Sequence, residues 1–139
     1  MNILRFVIPK SLVEYITDTS TVRQALEKMR HHRYVAIPVI NAEGGYVGTL
    51  RNDDLFKYFV DGGRFDMRAA EADSVMTILD TSYSRPLSHS APPEELFELV
   101  KERNFVSVVD DRGCFIGIIL RRDVMNFLLE FYKRESDKT

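Results

Sequence analysis

The chain has 139 residues, of which 45% are hydrophobic and 29% charged, and its net charge is −2. That length holds one domain or two tightly packed small halves and buries a real core, and nine Phe and six Tyr argue against disorder. The near-neutral balance argues against DNA or RNA as the main partner, since that affinity rests on an excess of Lys and Arg. A small anion held by a few local arginines stays open.

The single cysteine, Cys114, allows no internal disulfide. It reads as a small core hydrophobe, with no adjacent His to activate it. Apolar runs such as Phe115–Leu120 are too short to span a bilayer. The N-terminus lacks the pattern of a charged segment followed by an apolar core. The expectation is a cytoplasmic chain with no membrane partner.

In chain order, the first periodic pattern is a helix with Val22, Ala25, Leu26 and Met29 on one face. Thr21 through Gln24 fits a capping box at its start. Residues 35–40 and the segment from Tyr46 to Leu50 read as two strands of a hairpin around the turn of Asn41, Glu43, Gly44 and Gly45. A second helix is expected with Asn52 as cap, Asp53 and Asp54 in its first turn, and Leu55, Phe56 and Phe59 inward. Asp61, Gly62 and Gly63 stop it. The pattern then recurs. Pro92, Pro93, Glu94 and Glu95 suit a helix start, and Leu96, Phe97, Leu99 and Val100 form its apolar face. Residues 105–109 and 115–120 form a second hairpin around Asp110 to Gly113. A last helix carries Val124, Phe127, Leu128 and Phe131, and residues 133–139 form a charged tail expected to fray.

The two halves therefore repeat. Tyr46, Val47, Gly48 and Asp54 match Phe115, Ile116, Gly117 and Asp123, with the Asp six residues after the Gly in both. Each half reads as strand–helix–strand–strand–helix, an α/β arrangement. The boundaries expected are 6–63, 64–132 and the tail 133–139. The inner strands are apolar nearly throughout, which suits burial on both faces.

The order Pro9, Val13, Ile16, Thr17, Asp18, Val22, Ala25, Leu26, Ala36, Ile37, Pro38, Val39, Gly44, Gly48 and Asp54 resembles the cystathionine-beta-synthase (CBS) repeat. The second half resembles it through Val75, Met76, Leu96, Phe97, Val100, residues 106–109, Gly113, Gly117 and Asp123. The resemblance implies tandem CBS repeats packed as a pseudo-twofold Bateman module, with two clefts between the halves that take AMP, ATP, S-adenosylmethionine or a cyclic dinucleotide. It also implies a homodimer, for which Phe127, Phe131 and Tyr132 are candidate contacts, although core packing explains them nearly as well. Residues 6–9 and the element Leu120, Arg121 and Arg122 further resemble a stand-alone subgroup that binds cyclic di-AMP in Gram-positive bacteria.

Within that resemblance, the carboxylate at the start of each final helix is the candidate ribose acceptor, beside helix N–H groups that favour phosphate. One cleft takes Asp123 with Arg121 and Arg122 as phosphate contacts. Leu12, the backbone of Glu14, Val35, Ala36, Ile37 and Pro38 lie against its adenine. Core packing explains most of these apolar residues equally well. The other possible cleft takes Arg51, Asp54, Leu79, Asp80, Ser107 and Val108, with the Asp80 carboxylate unfavourable to phosphate. Simple helix capping is the competing explanation for Asp54 and Asp123. The family pattern has Thr or Ser three residues before the Asp, whereas this chain has Arg51 and Leu120.

His31 and His32 do not share a helix face, and His89 lies among turn residues, so no metal site is expected. No Gly-rich phosphate loop or hydrolase motif occurs, and no catalytic acid–base pair stands out. The expectation is a non-enzymatic sensor that takes an adenine nucleotide as regulatory ligand, needs no cofactor and signals to a partner protein. The alternative is a docking module that has lost its ligand.

Overall fold

The computed structural model describes residues 1–62, 65–82 and 85–138. Its elements are β1 (Ile8–Pro9), β2 (Ile16–Thr17), α1 (Val22–His32), β3 (Ala36–Ile40), β4 (Tyr46–Arg51), α2 (Asn52–Asp61), α3 (Met67–Ala72), β5 (Leu87–Ser88), α4 (Pro93–Val100), β6 (Phe105–Val109), β7 (Phe115–Leu120) and α5 (Arg121–Asp137), with short 3-10 turns at Ile3–Phe6, Lys10–Leu12 and Val75–Thr77. They divide into two units, Glu14–Arg85 and Met1–Val13 with Pro86–Thr139. Each unit contains the expected strand–helix–strand–strand–helix order.

In the unit of Glu14–Arg85, a three-stranded sheet runs β2-β3-β4. Strands β3 and β4 form the expected antiparallel hairpin, with Ile37 opposite Leu50 and Val39 opposite Gly48. The turn holds because the Asn41 side chain accepts the N–H groups of Glu43 and Gly45 at 3.1 and 2.8 Å. Helix α1 packs Val22, Ala25 and Met29 into a core with Ile37, Val39, Leu50 and Leu55. Thr21 caps it through the expected reciprocal box with Gln24. Ala70 and Val75 extend this core from the segment after α2. Sequence periodicity did not anticipate α3, which Asp66 caps by accepting the N–H of Arg68 at 2.9 Å.

Asn52, the cap expected from the sequence, does not cap α2. It is the first helical residue, and Arg51 stands at the cap. The Asp54 carboxylate accepts the Arg51 N–H at 2.9 Å and thereby takes the capping role. The helix ends at Asp61 with Gly62 as its cap, and the expected stop at Gly63 lies outside the described residues.

In the other unit the sheet order is β1-β7-β6-β5. The core gathers Leu87, Leu96, Val100, Val106, Val108, Ile119 and Val124, together with Ile3 and Phe6 from the chain's beginning. The contiguous division 6–63 and 64–132 therefore does not describe the compact units. The opening residues join the last hairpin because β1 pairs antiparallel with β7, Ile8 opposite Ile118 and Pro9 opposite Gly117. Gly117 allows that approach: a Cβ there meets the Ile8 carbonyl and the Val7 side chain. The tail is not frayed at its start, since α5 continues through Asp137. Phe127 sits edge-on to Phe6 at 5.4 Å as part of the core, so it is not a free contact residue. Phe131 and Tyr132 are exposed, and in the other unit Phe56, expected inward on α2, is 64% exposed instead.

Candidate functional site

The two helix-start carboxylates occupy equivalent places in the repeat and have different surroundings. Asp54 is 4% exposed. Its second oxygen lies 3.3 Å from the Arg51 guanidinium, which also reaches Asp80 at 3.8 Å. Asp80 accepts the Ser82 hydroxyl at 2.6 Å, and this bond, ahead of the Arg51 charge, holds its carboxyl below the usual carboxylate range. Two carboxylates thus share one guanidinium, a local balance that disfavours an incoming phosphate. The capping explanation describes Asp54.

Asp123 is the third residue of α5 and half-buried. Among the described residues its side chain makes no hydrogen bond or ion pair, and Leu120, which stands where Arg51 stands in the first repeat, has no guanidinium to offer it. Arg122 is exposed beside it, and its guanidinium likewise makes no contact among the described residues. One acceptor and one cation therefore remain available at the first turn of a 17-residue helix, where main-chain N–H groups point outward.

Arg121 is placed differently. Its Nε donates to the carbonyls of Val100 at 2.7 Å and Arg103 at 2.9 Å, satisfying acceptors at the end of α4. This is a structural use of a side chain expected at phosphate.

The remaining candidates separate by unit. Leu12 belongs to the unit of Asp123, in the turn that packs near β7, and is 76% exposed. Ser107 of the same unit is 4% exposed, and its Oγ has no hydrogen-bond partner among the described residues. It faces Ile118 across the ladder, so Leu120 is its diagonal neighbour on the same side of the sheet. Val108 is core. In the unit of Glu14–Arg85, Ile37 and Pro38 are buried, Ala36 is half-buried and Val35 is 53% exposed. Leu79 packs on Gly48, the repeat glycine of that unit, at 3.1 Å from a Cβ there. The Glu14 carboxylate accepts from Lys28 Nζ at 3.0 Å, and this bond is the first cause that lowers its pKa.

Among the described residues no group of three His, Cys, Asp or Glu side chains is arranged to hold a metal. No helix among them is long and apolar enough to cross a membrane.

Comparison with known proteins follows the repeat. The family model of the CBS domain matches residues 8–61 and 85–130. A solved structure of CbpB in complex with c-di-AMP superposes with a TM-score of 0.87 at 21% identity, over 100% of this chain and 91% of that one. The CbpB protein of Listeria monocytogenes in complex with c-di-AMP superposes at 0.83 and 21% identity, over 94% and 97% of the two chains. These likenesses establish a shared fold. An uncharacterised protein of Methanocaldococcus jannaschii is 25% identical over 142 residues, 94% of this chain and 50% of that protein. The chain thus spans half the length of the curated relative it matches.

Proposed function

Because this chain belongs to the CBS domain family, matched over residues 8–61 and 85–130, we propose that it is a non-enzymatic regulatory module that binds an adenine nucleotide through Asp123 and Arg122. The carrying observation is the unengaged Asp123 carboxylate at the α5 start, against the fully engaged Asp54 at the equivalent start of α2. A carboxylate accepts both hydroxyls of a ribose, and the neighbouring guanidinium meets phosphate with charge-assisted bonds. Ser107 Oγ, buried without a partner, is a further acceptor or donor in the same unit. Arg121 supports the site by fixing the end of α4 to the start of α5.

Cyclic di-AMP is the leading ligand on the strength of the two CbpB complexes, with AMP and ATP as the other adenine ligands. The nucleotide shifts a conformational equilibrium by its differential affinity for the two states, and a partner protein reads the shift. A cytoplasmic homodimer completes the reading. Its contacts are apolar residues exposed at matching places in the repeat, Phe56 and Val60 on α2 and Met125 and Leu129 on α5, with Phe131 and Tyr132.

One observation favours a second reading. Arg51 is drawn to both Asp54 and Asp80, and Arg121 is spent on carbonyls, as a docking module without ligand would allow. Calorimetry against cyclic di-AMP, AMP, ADP, ATP and S-adenosylmethionine, with product analysis, separates the two. Saturable heat without turnover supports the sensor. Silence with every ligand supports the docking module, and turnover overturns both.

A further inference from the structure

The repeat offers a second comparison at the same helix starts. Asn52 and Arg121 are equivalent, because the Asn52 N–H donates to Val35 O at 2.9 Å and the Arg121 N–H to Asn104 O at 2.8 Å. In the unit of Arg121 the long side chain reaches from the start of α5 to the end of α4, bonding two carbonyls. In the other unit Asn52 is too short to do so. A cavity of about 330 Å³ stands there between the end of α1 and the start of α2.

The chemistry of that cavity is amphiphilic. Buried Met29 and Leu55 and half-buried Leu26 give it an apolar side. Exposed Arg30 and Arg33 also line it, and among the described residues neither guanidinium makes a hydrogen bond or ion pair. The carboxylates next to lining residues in sequence are engaged by other cations, Glu27 by Arg23 at 2.9 Å, Asp53 by Lys57 at 3.3 Å and Asp54 by Arg51 at 3.3 Å. Arg33 adds an independent sign. It sits at φ 59°, the only non-glycine residue at positive φ among those described. Gly or Asn ordinarily takes this position after a helix. An arginine held there against steric cost points to a use for its side chain.

We propose that this groove is a ligand site for a small anion with an apolar body, one carboxylate or phosphate carried on an aromatic or branched aliphatic group. The volume is at the small end of the range for ligand pockets. The apolar body lies on Leu26, Tyr34 and Val35 over buried Met29 and Leu55, and the charge meets Arg30 and Arg33. The site opens on the Asn52 side of the α2 start, and Asp54 does not line it. Its arginines are none of those in the nucleotide reading, and Val35 is the one lining residue that both readings name.

The test is an amide NMR titration of the full chain, without nucleotide, using benzoate, phenyl phosphate and benzyl alcohol. Both anions are expected to give saturable shifts at Arg33, Tyr34, Val35 and Asn52. The alcohol is expected to bind at least about tenfold more weakly, the loss of a charged hydrogen bond. A preference for phenyl phosphate over benzoate, or the reverse, identifies the head group. Asn52→Arg installs the side chain that closes the equivalent space in the other unit, and abolishes the shifts. Arg33→Gly raises Tm by removing the strained backbone, yet weakens both anions about tenfold. The proposal is overturned by an absence of saturable shifts in the unmodified chain, by equal binding of the alcohol, or by full affinity in folded Asn52→Arg. Should Asn52→Arg not fold, undiminished binding by Arg33→Gly overturns it.

Discussion

Arg51 and Asp54 close on each other at the start of α2: the main-chain N–H of Arg51 donates to one carboxylate oxygen at 2.9 Å and its guanidinium to the other at 3.3 Å. The equivalent pair in the second repeat, Leu120 and Asp123, has no such bond. Asp54→Ala therefore removes a helix cap and leaves a part-buried guanidinium short of a partner, costing about 1–3 kcal/mol in urea unfolding. Asp123→Ala is expected to change stability by less than about 0.5 kcal/mol. Equal losses in the two variants contradict this division of roles.

The adjacent arginines divide in the same way. Arg121→Ala leaves the carbonyls of Val100 and Arg103 without their donor and lowers stability by about 1.5–3 kcal/mol. Arg122→Ala leaves stability unchanged and weakens nucleotide binding by about 1.5–3 kcal/mol. Paired thermal unfolding and calorimetry on both variants check this. Unchanged affinity in Arg122→Ala removes that side chain from the site.

The repeat glycines differ in what approaches them. Gly117 faces the Ile8 main-chain carbonyl of β1 and the side chain of the preceding Val7, whereas the nearest atoms to Gly48 belong to the Leu79 side chain. Gly117→Ala is expected to cost more than about 2 kcal/mol and to expose residues 1–13 to protease. Gly48→Ala is the milder change. Limited proteolysis with denaturant melts distinguishes them, and a Gly48→Ala loss as large as that of Gly117→Ala contradicts the pairing.

Glu14 carries a pH dependence of definite sign. The Lys28 hydrogen bond, then its charge, lowers the carboxyl in the folded chain. The stability it contributes is complete above the ordinary carboxylate range and is lost as pH falls through the lowered value. Lys28→Met returns the Glu14 titration toward that range, followed by carboxyl carbon NMR. A titration that does not move rejects the Lys28 contact as its cause.

Much of the fold follows from local pattern. The period of Val22, Ala25 and Met29 places α1, and the Asn41 turn places the first hairpin. The duplication of Gly48 and Asp54 as Gly117 and Asp123 reveals the second repeat. What local pattern does not carry is tertiary: a two-residue strand such as β1 has no periodicity, so its pairing with β7 leaves no sequence trace. The short α3 escaped because six residues hold too few turns to show a face, although Asp66 before Met67 is a recognisable cap. At the site, identical Asp residues hid unlike environments. The signal was present at Arg51, since an arginine three residues before a helix-start carboxylate is placed to engage it. Nothing in the sequence distinguished Arg121, folded back on α4, from Arg122, which faces solvent. The groove beside Asn52 was likewise invisible, because a vacancy shows only when the filled counterpart is seen.

Titration calorimetry with cyclic di-AMP on the unmodified chain, Asp123→Asn and Asp54→Asn examines the central assignment most directly. The unmodified chain and Asp54→Asn are expected to bind alike once Asp54→Asn is shown to be folded, while Asp123→Asn loses about tenfold or more in affinity. Full binding by folded Asp123→Asn contradicts the assignment.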